Sequence, residues 1–145
     1  MVIANEKPVS CLFKFAVENE LIVQDLSDQI FDLIIICDTG SFGMLGSIYL
    51  DHVELFENTQ TINIDHHGSF YGDICWSTSG HEYAAATMMV GAFIQEIDPV
   101  GITPYMASSL LLGLYFDTEC FRNLNTNPAS LRFAADMIEL GADNG

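Results

Sequence analysis

The sequence predicts an α/β fold, a mostly parallel sheet with flanking helices. Two short apolar runs, Leu33–Cys37 and Thr61–Ile64, each stop abruptly at polar residues. Around them apolar residues recur at roughly helical spacing, and strands alternating with helices argue for parallel pairing through crossovers. A length of 145 residues suits one core and one domain.

Leu33-Ile-Ile-Ile-Cys37 is rich in β-branched residues and runs into Asp38-Thr-Gly40. A continuous apolar run that ends at a glycine turn reads as a strand buried on both faces. From Phe42 to Phe56 the apolar residues fall at an imperfect helical spacing, which predicts a crossover helix. Thr61-Ile-Asn-Ile64 is a second strand, parallel to the first, and leads into Asp65-His66-His67-Gly68. Ile74-Cys-Trp76 is a third, short strand. Glu82 to Ile97 is Ala-rich and predicts a helix. Thr103-Pro104 has the form of a helix start, with proline in the first helical position, and that helix runs to about Phe116. A loop covers Asp117 to Asn127. Pro128 opens a last helix, Ala129 to Leu140, which Gly141 closes. Residues 1–30 are the least regular; the apolar cluster Cys11–Val17 suits a short helix or a short strand.

Composition excludes several function classes. Four Lys+Arg against 20 Asp+Glu give a net charge of −16, so bulk electrostatic binding to nucleic acid is excluded. An anionic substrate must be received locally, by metal ions or a few placed donors. No run reaches the roughly 18 apolar residues of a membrane span, and no signal peptide is readable. Cys11, Cys37, Cys75 and Cys120 form no Cys-x-x-Cys pair; reduced, buried cysteines of a cytoplasmic protein are the expectation.

In open parallel sheets, ligands collect outside the carboxyl ends of the strands. One such end delivers Asp38; the next delivers Asp65, His66 and His67. Carboxylates and imidazoles without a thiolate suit Mn²⁺ or Mg²⁺ better than structural Zn²⁺. An Asp after a strand is commonly just a helix cap, and a single loop His is commonly a surface residue. Three titratable groups where the chain leaves the core point instead to a functional site. Asp117, after the apolar helix, is a further candidate. Two lookalikes fail. The glycines 40, 43 and 46 are spaced G-x-x-G-x-x-G, the wrong spacing for a dinucleotide fingerprint. His81-Glu82 lacks the second His of a zinc-protease helix, because Ala85 stands in its place.

Asp38-Thr-Gly40, Asn63-Ile-Asp65-His66-His67 and Gly113-Leu-Tyr-Phe-Asp117-Thr-Glu-Cys-Phe-Arg122-Asn-Leu-Asn125-Thr resemble three successive motifs of the DHH phosphoesterases, in order and in spacing. Gly72-Asp73-Ile74 and Ala84-Ala-Ala-Thr87 fit as well, and the resemblance spans residues 8–143. Within that family the chain looks most like the branch of nanoRNases (oligoribonucleases) and phosphoadenosine-phosphate (pAp) phosphatases. The resemblance implies a Rossmann-like sheet and a hydrolase with two Mn²⁺ (or Mg²⁺) ions. Its substrates would be short oligonucleotides or nucleotides such as phosphoadenosine phosphate, and a homodimer is an expected assembly of the parent enzyme.

The resemblance also implies roles. Asp38 corresponds to the carboxylate that bridges the ions, and His66 and Asp117 to further metal ligands. His67 corresponds to a catalytic and substrate-phosphate contact, and Asp65 to the carboxylate that orients an imidazole. Arg122 occupies a family position that either touches phosphate or anchors its loop. The family's first motif, His-x-x-x-Asp-x-Asp, has no counterpart in residues 1–37, which contain no His. Nor is there a Gly-Gly-Gly-His loop of a second domain. Residues 1–145 are thus expected to be a partial DHH domain, with an open apolar edge beside Leu33–Cys37 and little activity alone. The alternative is a non-catalytic DHH-like domain that binds a nucleotide or another subunit.

Overall fold

The computed structural model describes residues 3–4, 22–23, 25–27, 29–68, 71–77 and 82–143. The Cys11–Val17 cluster and His81 lie outside them. Strands β1 (Ile3–Ala4) and β2 (Ile22–Val23) pair in parallel. A second sheet has the order β3 (Leu33–Cys37), β4 (Gln60–Asp65), β5 (Ile74–Ser77), all parallel. The register sets Cys37 opposite Ile64 and Asp65 opposite Ser77, so the carboxyl ends of the three strands share one rim.

Between β3 and β4 the predicted crossover is broken into a 3₁₀ turn, Phe42–Leu45, then α1 (Ser47–Leu50) and α2 (Val53–Asn58). Gly46, at φ 60°, separates the first two pieces. Leu26, Ile36, Ile48 and Phe56 make a small core under them. Phe42 stacks on Tyr49 and meets Phe56 and Tyr71 edge-on.

The larger core joins α3 (Ala86–Ile97), α4 (Pro104–Asp117) and α5 (Pro128–Glu139), with Met88, Leu111, Leu114 and Met137 at its centre. Thr103 caps α4, its hydroxyl accepting from Met106 N. Asn127 and Ser130 cap α5 reciprocally, and proline occupies the first turn of both helices. Gly141, at φ 92°, ends α5: its N–H bonds Ile138 O and that of Ala142 bonds Met137 O, the pattern that satisfies the last carbonyls of a helix.

Three expectations are corrected. The Ala-rich helix begins at Ala86, not Glu82; Ala84 and Ala85 are buried in an irregular segment, and Ala85 is extended. Tertiary hydrogen bonds on that segment, described below, outweigh alanine's helix propensity. β3 is not buried on both faces. Ile34 and Ile36 turn toward the small core, whereas Leu33, Ile35 and Cys37 are exposed, because β3 is an edge strand among the described residues. The cysteines are not uniformly buried either. Cys37, Cys75 and Cys120 are free thiols, as expected, but Cys37 lies on that outer face and Cys120 in a loop, both exposed. Desolvation around the Cys37 sulfur and the neighbouring Asp38 charge nevertheless push its thiol up to about 11. Among the described residues no helix is long and apolar enough to cross a membrane.

Candidate metal centre

The site is built on the rim. The ladder continues one residue past β3, with Asp38 N–H donating to Ile64 O at 3.0 Å. Asp38 then takes φ 57°, a left-handed conformation that Asp tolerates better than most residues. The chain turns there and the carboxylate stays at the strand end. Beyond it, Thr39 Oγ1 hydrogen-bonds Tyr71 Oη.

β4 delivers the next three groups. Asp65 is fully buried. Its Oδ1 accepts from His67 N at 3.1 Å and His67 Nδ1 at 2.8 Å. A carboxylate only accepts, so His67 carries its proton on Nδ1 and turns Nε2 outward from a ring that is 62% exposed. Asp65 thus orients His67.

His66 is the buried imidazole. Its Nδ1 lies 3.4 Å from the carbonyl of Tyr83, which can only accept. Nδ1 is therefore a protonated nitrogen, and in the neutral tautomer this leaves Nε2 with a lone pair. That Nε2 is buried without a hydrogen-bond partner, 3.5 Å from Asp38 Oδ1 and 3.7 Å from Asp117 Oδ2.

Asp117 ends α4. A carboxylate there faces the negative end of the helix dipole, but it receives the backbone N–H of Ala86, the first residue of α3. Burial and the charge of Asp38 raise its carboxyl above the ordinary carboxylate range, partly offset by His66, His67 and the Ala86 bond. After Asp117, Glu119, Cys120 and Phe121 stand at φ 49°, 55° and 64°, three consecutive non-glycine residues in the left-handed region. Such backbone costs roughly 1–2 kcal/mol per residue. Buried Thr118 holds it: its hydroxyl donates to Leu114 O and accepts from Phe121 N, and its carbonyl accepts from Arg122 N and Asn123 N.

His66 Nε2 thus has a carboxylate oxygen of Asp38 at 3.5 Å and one of Asp117 at 3.7 Å, with Asp65 and His67 beside Asp38. Asp38, Asp65, His66 and His67 each offer a ligand atom within 4.8 Å of the others, and Asp117 lies outside this tightest group. Arg122 is placed differently: its Nε donates to Glu119 O at 2.9 Å, anchoring the left-handed turn. Beside the rim opens a cavity of about 330 Å³ lined by Cys37, Asp38, Thr87, Val90, Phe116 and Asp117 among others. Three contributors have no role assigned from the sequence. The carbonyl of Tyr83 and the N–H of Ala86 are backbone groups without side-chain signal, and Asn125, which touches both neighbouring segments, is a loop asparagine.

The donor set fits a divalent cation. His66 Nε2 is buried without a hydrogen-bond partner and has carboxylate oxygens of Asp38 and Asp117 at 3.5 and 3.7 Å, and a buried polar atom left without a partner costs about 1–3 kcal/mol. A cation, or a proton on Nε2, would satisfy it.

No family model matches the sequence, and no curated protein matches it. The fold is similar to that of an exopolyphosphatase-related protein from Bacteroides fragilis, with a TM-score of 0.80 and 17% sequence identity. The similarity covers 98% of this chain and 44% of that one, so the chain spans less than half of its neighbour's length. At that identity the likeness is one of fold: an α/β, Rossmann-like parallel sheet with helices around it.

Proposed function

We propose that Asp38, His66 and Asp117 hold a divalent cation, Mn²⁺ or Mg²⁺, and that the chain is the metal-holding part of a DHH-type phosphoester hydrolase. The observation that carries this reading is the buried, unpartnered Nε2 of His66 facing two carboxylates. Oxygen and imidazole donors are the set those ions take. A fold neighbour named as exopolyphosphatase-related supports chemistry at a phosphoryl group. The motif resemblance narrows the substrate to short oligonucleotides or nucleotides such as phosphoadenosine phosphate.

When bound, such ions lower the pKa of a coordinated water toward about 7 and offset charge on phosphoryl oxygens. The chain's own groups act around that chemistry. Tyr83 O holds the His66 tautomer that leaves Nε2 as a donor atom. Asp65 holds His67 with Nε2 toward solvent, where a phosphate would approach. In its protonated form, His67 would donate from Nε2 to a phosphate oxygen. The local cation also explains how a chain of net charge −16 receives an anion.

Three side chains are too few for two ions of five or six ligands each. The chain by itself is therefore a one-ion site with low turnover. Mn²⁺ titration followed by electron paramagnetic resonance, with hydrolysis assays on a dinucleotide and phosphoadenosine phosphate, tests this. One Mn²⁺ per chain, lost in His66→Ala, with turnover near background, is expected. Robust turnover that His66→Ala abolishes would overturn the one-ion reading. Absence of Mn²⁺ binding at millimolar concentration would overturn the metal site itself.

A further inference from the structure

The carbonyl of Asp117 lies at the end of α4, where a helix leaves its last carbonyls without internal partners. It accepts from Asn125 Nδ2 at 3.1 Å and from Asn123 Nδ2 at 3.2 Å. The same Asn125 Nδ2 donates at 2.8 Å to the carbonyl of Ala84. Both acceptors are carbonyls, so the amide orientation is fixed by chemistry: the flipped rotamer would set Oδ1 against two oxygens. Oδ1 is buried without a partner.

Ala84 belongs to the irregular segment Glu82–Ala85. Its neighbour Tyr83 accepts from His66 Nδ1, and Ala86, just beyond it, donates to the Asp117 carboxylate. One amide therefore ties Asp117, whose carboxylate faces His66, to the segment that holds the imidazole's Nδ1 proton. Nothing else among the described hydrogen bonds joins Asp117 to Ala84.

We propose that Asn125 is the positioning residue of this centre: by bridging the Ala84 and Asp117 carbonyls it sets His66 and Asp117 at ligand spacing and keeps His66 protonated on Nδ1. The metal half of this statement rests on the reading that the cluster holds a cation; the tautomer half does not. An orphaned Oδ1 is a cost that an apolar residue would avoid, and the two donated bonds are what it retains.

The test uses the whole chain. In metal-free protein, long-range ¹⁵N–¹H spectra of the imidazoles report the His66 tautomer. Cross-hydrogen-bond couplings report the bonds from Asn125 Nδ2 to the Ala84 and Asp117 carbonyl carbons. Mn²⁺ titration reports affinity. Wild-type protein is expected to show both couplings and a proton held on His66 Nδ1. Asn125→Ala, and Asn125→Ser, whose hydroxyl is too short to bridge, should mix the tautomers and weaken Mn²⁺ binding about tenfold or more. Ser130→Ala, which removes part of the α5 cap, should lower stability with tautomer and affinity unchanged. Missing couplings in wild type overturn the proposal even if neither Asn125 variant folds, and so does a folded Asn125 variant with wild-type tautomer and affinity. If wild-type protein binds no Mn²⁺, the metal reading fails, and the tautomer in the Asn125 variants still decides the clamp.

Discussion

His66 Nε2 stands 3.5 Å from Asp38 Oδ1, and with the ring neutral neither atom has a proton to give. A ligand that fills this gap binds the folded state alone, so it stabilises by mass action. At a hundred times its dissociation constant, Mn²⁺ should add about 2.7 kcal/mol. Thermal unfolding with and without MnCl₂ measures this, and excess chelator should reverse the rise. In His66→Ala and Asp38→Asn the rise should vanish. An equal rise in all three proteins would place the ion elsewhere.

Asp65 is a buried carboxylate whose visible work is to accept from the backbone N–H and Nδ1 of His67. Asp65→Asn keeps the shape and turns one acceptor into a donor. The loss of charge-assisted bonds at a buried position should lower stability by about 1–3 kcal/mol. It should also release His67 to its other tautomer. Denaturant unfolding and imidazole ¹⁵N shifts check the two effects. An unchanged His67 tautomer would show that Asp65 does not orient it.

The parts of this site that the sequence displays are those whose physics is local. β-branched runs that stop at polar residues show β3 and β4, and the register then puts Asp38 and His66 on one rim. Thr103-Pro104 and Asn127-Pro128 announce helix starts because caps are chemical. Other features depend on neighbours far along the chain. Ala84 and Ala85 look helical until Asn125 and His66 hold the segment's carbonyls in an irregular path. The exposure of Leu33, Ile35 and Cys37 follows from the edge position of β3, which the apolar run itself does not reveal, although the motif resemblance leads to the expectation of an open edge there. The left-handed run Glu119–Phe121 contains no glycine to mark it; buried Thr118 enforces it. Asn125 has no periodic partner, and its role appears only once the carbonyls of Asp117 and Ala84 are seen side by side.

Asp117 sets a pH dependence. Burial first, and Asp38 second, raise its carboxyl in the folded state. The native chain therefore holds this proton more tightly than the unfolded chain. Its contribution to stability falls as pH rises from the unfolded value, about 3.9, through the raised folded value, and the penalty persists above it. Asp117→Asn should remove that penalty: metal-free protein should be no less stable than wild type at pH 7, with a smaller decline across this window. With Mn²⁺ the order should reverse, because only wild type offers the carboxylate. Urea unfolding at a series of pH values, with and without Mn²⁺, measures both. A variant that is less stable without metal and gains as much from Mn²⁺ would contradict the assignment.

Gly113 and Thr87 set how closely α3 and α4 approach beneath the site. A Cβ at Gly113 would fall 2.2 Å from Thr87 Cγ2. Helix propensity alone favours Gly113→Ala by about 1 kcal/mol. Overpacking opposes it by about 1–3 kcal/mol, and a β-branched Thr in a helix has few rotamers with which to escape. The clash should win, giving a net loss of up to about 2 kcal/mol. Gly113 lies one turn before Asp117 on the same side of α4, so parting the helices there also draws Asp117 from the Ala86 N–H and should weaken Mn²⁺ binding. Thr87→Ala deletes the clashing methyl together with a buried hydroxyl that has no partner. The double variant should therefore recover most of the stability and affinity, with a coupling of about 1 kcal/mol or more between the two positions. Additive effects in that double-mutant cycle would mean that the helices separate for another reason.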